Sequence, residues 1–199
     1  MYRRFFKTCI DRLAASIGLL AVSPILLALA LLIRFRLGTP VLFRQERIGL
    51  NDIPFTFVKF RTMTDERDPD GKLLPDLQRL TPFGQFLRSS SLDELPQLWN
   101  VVRGEMSLVG PRPLLPQYLA RYSAFQRRRH EVKPGITGWA QIHGRNDVSW
   151  EHRFERDVWY VDNRSFPVDL KILLLTMMKV FRREGISRGG HATMPEFRG

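Results

Sequence analysis

The chain has 199 residues, 31 of them basic and 20 acidic, for a formal net charge of +11. Arginine outnumbers lysine 25 to 6, and its planar fork matches phosphate and carboxylate, so the expected partners are anions: nucleic acid, lipid head groups or phosphorylated small molecules. The length gives room for an apolar segment plus one compact domain of roughly 160 residues, and the single cysteine, Cys9, excludes an intrachain disulfide and fits a reducing compartment.

The first element is the run from Leu13 to Ile33, 21 residues without a charge. As a straight helix it is ~31 Å long, enough for the ~30 Å hydrocarbon core of a bilayer. Arg3, Arg4, Lys7 and Arg12 precede it; Arg34, Arg36 and Arg44 follow. Cytoplasmic flanks carry the basic excess, so a spanning helix would have to push one cluster across. A helix broken at Ser23-Pro24 could instead enter and leave by one face. Proline removes a backbone hydrogen bond, and the neighbouring Ser23 hydroxyl can serve the freed carbonyl. The alternative is a single-pass helix with a mild proline kink. A cleaved signal peptide fits less well, because Arg34-Phe35-Arg36 stands where small residues are needed.

Val41 to Gln45 and Pro54 to Arg61 read as two strands of a β-hairpin joined by turn chemistry at residues 47–52. Alternation puts Phe55, Phe57, Lys59 and Arg61 on one face of the second strand. Residues 65–76 form a polar loop. Thr81-Pro82 starts a helix that reaches Arg88. Another starts at Ser91, with Leu92, Leu95, Leu98, Trp99 and Val102 at helical spacing, and Gly104 ends it. Val109 to Pro113 is rigid extended backbone, because each proline fixes its own φ and restricts the residue before it.

Leu114 to His130 reads as helix and finishes in Arg127-Arg128-Arg129, a solvated or lipid-facing run. Lys133 to Gly138 reads as a loop. Val148 to Val161 reads as helix, with Trp150, Phe154, Val158 and Trp159 as its apolar face. On the last helix, Val168 to Arg183, a narrow polar stripe of Asp169, Thr176, Lys179 and Arg183 fits either a buried core helix or one lying in a membrane interface. Gly185 to Gly199 reads as irregular.

Ser91-Leu92-Asp93-Glu94 has two readings. Ser-x-x-Glu is a capping box, and acidic residues stabilise a helix start. Adjacent carboxylates can also hold Mg²⁺ beside a phosphate while one acts as nucleophile or base. Nearby cations support the second: Arg88 just upstream, Arg112 fixed between Pro111 and Pro113, Arg145 in His143-Gly-Arg-Asn146, and Lys59 on the hairpin. Gly-x-Gly-x-x-Gly, Walker-type, His-Glu-x-x-His and Cys-x-x-Cys motifs are absent, and the four histidines show no metal-ligand spacing.

Taken together, the Ser23-Pro24 segment, Lys59-Phe-Arg-Thr-Met63, Arg88-Ser-Ser-Ser-Leu-Asp-Glu-Leu-Pro-Gln97, Met106-Ser-Leu-Val-Gly-Pro-Arg-Pro113, Lys133-Pro-Gly-Ile-Thr-Gly-Trp-Ala-Gln141 and Gly144-Arg-Asn146 resemble the bacterial sugar transferase family, the monotopic polyprenol-phosphate phosphoglycosyl transferases. The length and tail are most similar to its small members, such as the initiating enzyme of bacterial N-linked glycan assembly. His143 departs from the asparagine of the family pattern.

The resemblance implies transfer of a phosphosugar from a UDP-sugar to undecaprenyl phosphate, with UMP released, as the first membrane step of glycoconjugate assembly. It assigns Asp93 as the nucleophile that becomes a covalent phosphosugar intermediate and as a ligand of Mg²⁺, and Glu94 as its dyad partner. Arg112 and Arg145, then Lys59 and Arg88, are the expected phosphate contacts, supported by Pro113, Glu105 and Asp157. A cytosolic nucleotide sugar puts both basic flanks on the cytoplasmic face of the bacterial inner membrane.

The expected fold is therefore α+β: a mainly helical compact domain with a small β-hairpin and a re-entrant membrane helix broken at Ser23-Pro24. Its parts are the helix-break-helix of residues 1–36 and a cytoplasmic catalytic domain with interfacial helices at 37–199. Inner-membrane lipids are expected partners, a homodimer is compatible with the sequence, and no nucleic-acid module is present to make nucleic acid a partner. A membrane-tethered basic binding protein and a docking scaffold for glycan enzymes are the competing readings.

Overall fold

The structure is a computed structural model that describes residues 6–144, 149–182 and 196–199. It is mainly helical, with the expected hairpin and a second, smaller pair of strands. Helix α1 (Lys7–Leu37) runs without interruption through Pro24. The expected break is therefore a lost hydrogen bond inside a continuous helix. Pro24 has no N–H for the carbonyl four residues back, that of Leu20, and the Ser23 hydroxyl donates to that carbonyl at 2.8 Å.

One stripe of α1 faces the domain at both ends: Asp11, Ala15, Leu29, Ile33 and Leu37 are buried. The other face leaves Leu13, Ile17, Leu20, Leu27, Leu31 and Phe35 exposed. At its start, Lys7 bridges Asp11 (3.2 Å) and Asp169 (2.7 Å), while the Ser107 hydroxyl bonds Asp11 and the Tyr160 hydroxyl bonds Asp169. At its end, Leu29, Ile33 and Leu37 pack on Phe60 and Leu87.

Strands β1 (Leu42–Ile48) and β2 (Pro54–Phe60) pair antiparallel, with Lys59 opposite Phe43. Phe55 and Phe57 share one face, as alternation predicts, and pack with Ala15, Val101 and Met106. Phe60 lies on the other face against α1, so the far end of the hairpin is buried on both sides. The short helix α2 (Asp76–Arg79) ends the polar loop, and α3 (Pro82–Ser89) starts as expected, with the Thr81 hydroxyl accepting the Gly84 N–H. A Cβ on Gly84 would lie 1.8 Å from the Thr62 carbonyl oxygen, so only glycine lets α3 come this close to the end of β2.

The helix expected from Ser91 is instead a 3-10 turn, Leu92–Glu94, followed by α4 (Gln97–Arg103). Pro96 explains the division: it lacks the N–H that a helix interior uses and is favoured at a helix start. Ser91 makes no capping bond and sits in the left-handed region, φ 57° and ψ 16°. The capping-box reading is overturned here, and a true capping box occurs at Ser123 and Gln126, at the start of α5 (Ala124–Arg127). That cap, with 3-10 turns at Pro116–Arg121 and Arg128–Glu131, also divides the long helix expected from Leu114.

The loop expected at Lys133–Gly138 contains a strand. β3 (Ser107–Val109) and β4 (Gly135–Thr137) pair in parallel, with Ser107 opposite Gly135 and Val109 opposite Thr137. The pair is too short for hydrophobic alternation to reveal it. It depends on close backbone approach: a Cβ on Gly135 would lie 2.1 Å from the Gly110 nitrogen.

After the short α6 (Trp139–Ile142), α7 (Trp150–Asn163) is capped by Ser149 and buries Phe154, Asp157, Val158, Tyr160 and Val161. Trp150 and Phe154 pack as expected, whereas Trp159 is partly exposed and stacks on Trp139. Helix α8 (Phe166–Arg182) takes the second of its two expected arrangements. Asp169 is buried and the Thr176 hydroxyl bonds that of Thr137, while Phe166, Leu170, Leu174, Met177 and Met178 are 46–57% exposed. The described part of its polar stripe, Asp169, Thr176 and Lys179, faces the protein. Arg183 lies outside the described residues. The exposed apolar residues point outward, the arrangement of an interfacial helix. Of the tail expected to be irregular, only residues 196–199 are among the described residues; they form no helix or strand, and Phe197 is buried among Tyr118, Phe154 and Leu114.

Candidate functional site

Four pieces of chain converge on one open cleft of about 1870 Å³. The end of β2 supplies Lys59. The end of α3 supplies Arg88, whose Nε donates to the Thr62 hydroxyl at 2.9 Å; the Gly84 contact sets that distance. The 3-10 turn supplies Asp93 and Glu94, and the double-proline segment supplies Arg112. Ser91 is the link between α3 and the turn. A left-handed φ costs a non-glycine residue of order 1 kcal/mol or more, and such conformations concentrate at functional sites.

The acidic pair is divided between two cations. Asp93, 3% exposed, has its Oδ2 3.5 Å from Lys59 Nζ. Glu94 accepts from Arg112 Nη2 at 2.7 Å. Burial pushes the Asp93 carboxyl above its ordinary range, and the Lys59 charge opposes it; Glu94 adds a smaller upward push. Burial likewise holds the Lys59 ammonium below its ordinary value, with Asp93 opposing. For both groups the lost hydration outweighs the pairing, so the resting pair is poised rather than relaxed. Glu94 raises the Arg112 guanidinium further above its already high value.

A family model described as bacterial sugar transferase matches residues 2–183. The chain belongs to the bacterial sugar transferase family. It is 58% identical over 193 residues to the sugar transferase EpsL of Bacillus subtilis, covering 97% of this chain and 96% of that protein. It is 42% identical over 200 residues to the UDP-galactose-lipid carrier transferase of Erwinia amylovora, covering 92% of this chain and 42% of that protein. A protein of Klebsiella pneumoniae named UDP-glucose:undecaprenyl-phosphate glucose-1-phosphate transferase is 42% identical over 187 residues, which cover 88% of this chain and 40% of the relative.

In this bacterial sugar transferase the structure brings together Asp93, Glu94, Lys59, Arg88, Arg112 and Pro113, all of which line the cleft. Arg145 lies outside the described residues. Two supporting assignments change. Glu105 does not orient a cleft arginine: it accepts from Asn100 Nδ2 (2.7 Å) and pairs with Arg103 (3.1 Å). Asn100 in turn bonds Thr56 and Val58 of β2, so Glu105 fixes α4 to the hairpin. Asp157 is buried and pairs with Arg129 rather than with Arg112. Arg129 is therefore no solvated residue, and the reading of the three-arginine run holds only for Arg127 and Arg128, which form exposed pairs with Asp52 and Asp162.

Sequence reasoning missed Thr62, Arg129 and Arg153. Thr62 and Arg153 line the cleft, and burial lowers the Arg153 guanidinium to about 10. The signal for the first was Lys59-Phe-Arg-Thr-Met63 itself; nothing in a helix of mixed charge singles out Arg153. The polar stripe of α8 did carry a signal, since Thr176 and Lys179 line the cleft.

Proposed function

We propose that this bacterial sugar transferase moves a phosphosugar from a UDP-sugar to undecaprenyl phosphate through a covalent intermediate on Asp93. The observation that carries the reading is the buried Asp93 beside Lys59, with Glu94 on Arg112 and Arg88 at hand, all facing one open cleft. These five ionised groups sum to one positive charge, suited to an anionic diphosphate. The names of the Klebsiella and Erwinia relatives support the substrate classes.

In the first step an Asp93 carboxylate oxygen attacks the sugar-bearing phosphorus; the phosphorus–oxygen bond to UMP breaks and UMP leaves with the electron pair. In the second, a phosphate oxygen of undecaprenyl phosphate attacks the same phosphorus. The bond to Asp93 breaks, restoring the carboxylate and releasing undecaprenyl-diphospho-sugar. A poorly hydrated carboxylate is the stronger nucleophile, and Lys59 favours its ionised form against the effect of burial. Arg112 and Arg88 neutralise phosphate charge and orient the diphosphate, the main demands of phosphoryl transfer.

The donor set fits Mg²⁺, which binds through one or two carboxylates and completes its shell with water and substrate phosphates. Asp93 and Glu94 are two adjacent carboxylates, and no group of three or more histidine, cysteine, aspartate or glutamate ligands occurs among the described residues. Bound there, Mg²⁺ would neutralise charge on the diphosphate.

The exposed apolar faces of α1 and α8 support membrane association, and use of a cytosolic UDP-sugar would put the cleft on the cytoplasmic face of the inner membrane. The same domain grips Lys7 before the apolar run and Leu37 after it, so both basic flanks stay with the domain, which weighs against a single-pass path. The test is UMP release from a panel of UDP-sugars with undecaprenyl phosphate and Mg²⁺. Asp93→Asn should abolish both turnover and the phosphosugar adduct seen by intact-protein mass spectrometry; near-normal turnover in that variant would refute the assignment.

A further inference from the structure

Two prolines without N–H groups flank Arg112, so this stretch is held by its carbonyls. The Pro111 carbonyl accepts from the Gly135 N–H at 3.0 Å. The Arg112 carbonyl accepts from Arg129 Nη2 at 2.6 Å. The Pro113 carbonyl accepts from Arg47 Nη1 at 3.4 Å. The middle bond is the shortest, and it comes from a cation 2% exposed.

Arg129 is itself fixed on every side. Its Nε and Nη2 donate to Asp157 Oδ2 at 3.1 and 2.9 Å, Nη1 donates to the Tyr122 hydroxyl at 3.4 Å, and the guanidinium lies over the rings of Phe154 and Tyr122. A buried ion pair is a poor device for stability alone, because well-packed apolar residues of similar volume commonly do as well or better. What this pair adds is a directed donor aimed at one carbonyl. That carbonyl belongs to the residue whose side chain meets Glu94 at 2.7 Å.

We propose that Arg129, fixed by Asp157, is a positioning residue that sets the Arg112 guanidinium against Glu94 by holding the Arg112 carbonyl. Its effect on turnover rests on the reading that Arg112 contacts the sugar nucleotide. The experiment compares Arg129→Met, and Arg129→Met with Asp157→Asn so that no lone buried charge remains, in wild-type and Arg112→Ala backgrounds. With Arg112 present, kcat/KM for UMP release should fall about 100-fold, the scale of a ~1 Å misplacement. With Arg112 absent, the further loss should be under about threefold, because residues acting through one group are not additive. Equal fractional losses in both backgrounds would overturn the proposal.

A second readout needs no substrate. The Arg112 side-chain ¹⁵N–¹H resonance should shift and exchange faster with water in the paired variant, and an unchanged resonance also overturns the proposal. If the wild-type chain releases no UMP from any UDP-sugar, the proposed function fails while this resonance still decides the positioning role.

Discussion

Replacing Lys7 with methionine removes the cation that bridges two buried carboxylates from opposite ends of the chain. The side chains of Lys7, Asp11 and Asp169 are 11%, 10% and 6% exposed. At 2.7 and 3.2 Å, each attraction is worth ~5–6 kcal/mol at an effective dielectric constant of ~20. Most of this offsets lost hydration, but removing one partner leaves that cost uncompensated, for a net ~3–5 kcal/mol. For a chain of this size the expected fall in Tm is roughly 6–20 °C, read by tryptophan fluorescence in detergent. Adding Asp11→Asn and Asp169→Asn should recover most of the loss, since the amides keep hydrogen bonds without a charge. A loss below ~1 kcal/mol, the scale of a surface ion pair, would refute the reasoning that the start of α1 is anchored in the domain.

Gly135→Ala should destabilise the protein by ~3 kcal/mol, as overpacking against backbone does, because the new Cβ meets the Gly110 nitrogen at 2.1 Å and the Thr137 carbonyl oxygen at 2.4 Å; urea titration gives the value. Lys59→Met should move the acidic limb of the UMP-release profile to higher pH. Burial already raises the Asp93 carboxyl and Lys59 opposes it, so removing the cation leaves less carboxylate at a given pH; an unmoved limb would contradict Asp93 as the titrating group. The stability sign is opposite: a raised carboxyl contributes stability below its unfolded value and loses it as pH rises through the folded one, so Asp93→Asn should flatten the wild-type decline toward neutral pH. Leu174→Glu, on the exposed face of α8, should leave Tm nearly unchanged while weakening flotation with anionic liposomes about tenfold or more, since ~2 kcal/mol of apolar burial is lost.

The elements with a local physical signature were legible in the sequence. The Ser23 hydroxyl serves the carbonyl that Pro24 orphans, Thr81-Pro82 opens its helix, and the hairpin faces follow strict alternation. The acidic pair and Lys59, Arg88 and Arg112 were legible through their motifs, and they meet in one cleft. What escaped depended on contacts distant in sequence. Arg129 looks like the third residue of a solvated run, and only Asp157, 28 positions later, makes burial tolerable. The β3–β4 pair depends on glycines on two separate strands. In α8 the period was right but the polarity was ambiguous: a narrow polar stripe has the same spacing whether it faces water or a polar cleft.

The division of the acidic pair between two cations has a consequence under the proposed two-step chemistry. When Asp93 attacks, its carboxylate charge disappears, but the acyl-linked phosphodiester formed in its place also carries one negative charge. Lys59 and Arg88 therefore face the same charge before and after the first step. Glu94 keeps its own charge throughout, so the Arg112–Glu94 pair at 2.7 Å need not reorganise between the nucleotide sugar and the lipid phosphate. A cleft whose cations can stay in place has little electrostatic reorganisation to supply at either transition state, which is where preorganised charge gives most of its benefit. That account also explains why the backbone of Arg112 would be held so firmly from behind: one guanidinium has to serve a soluble anion and a membrane-bound one from the same position.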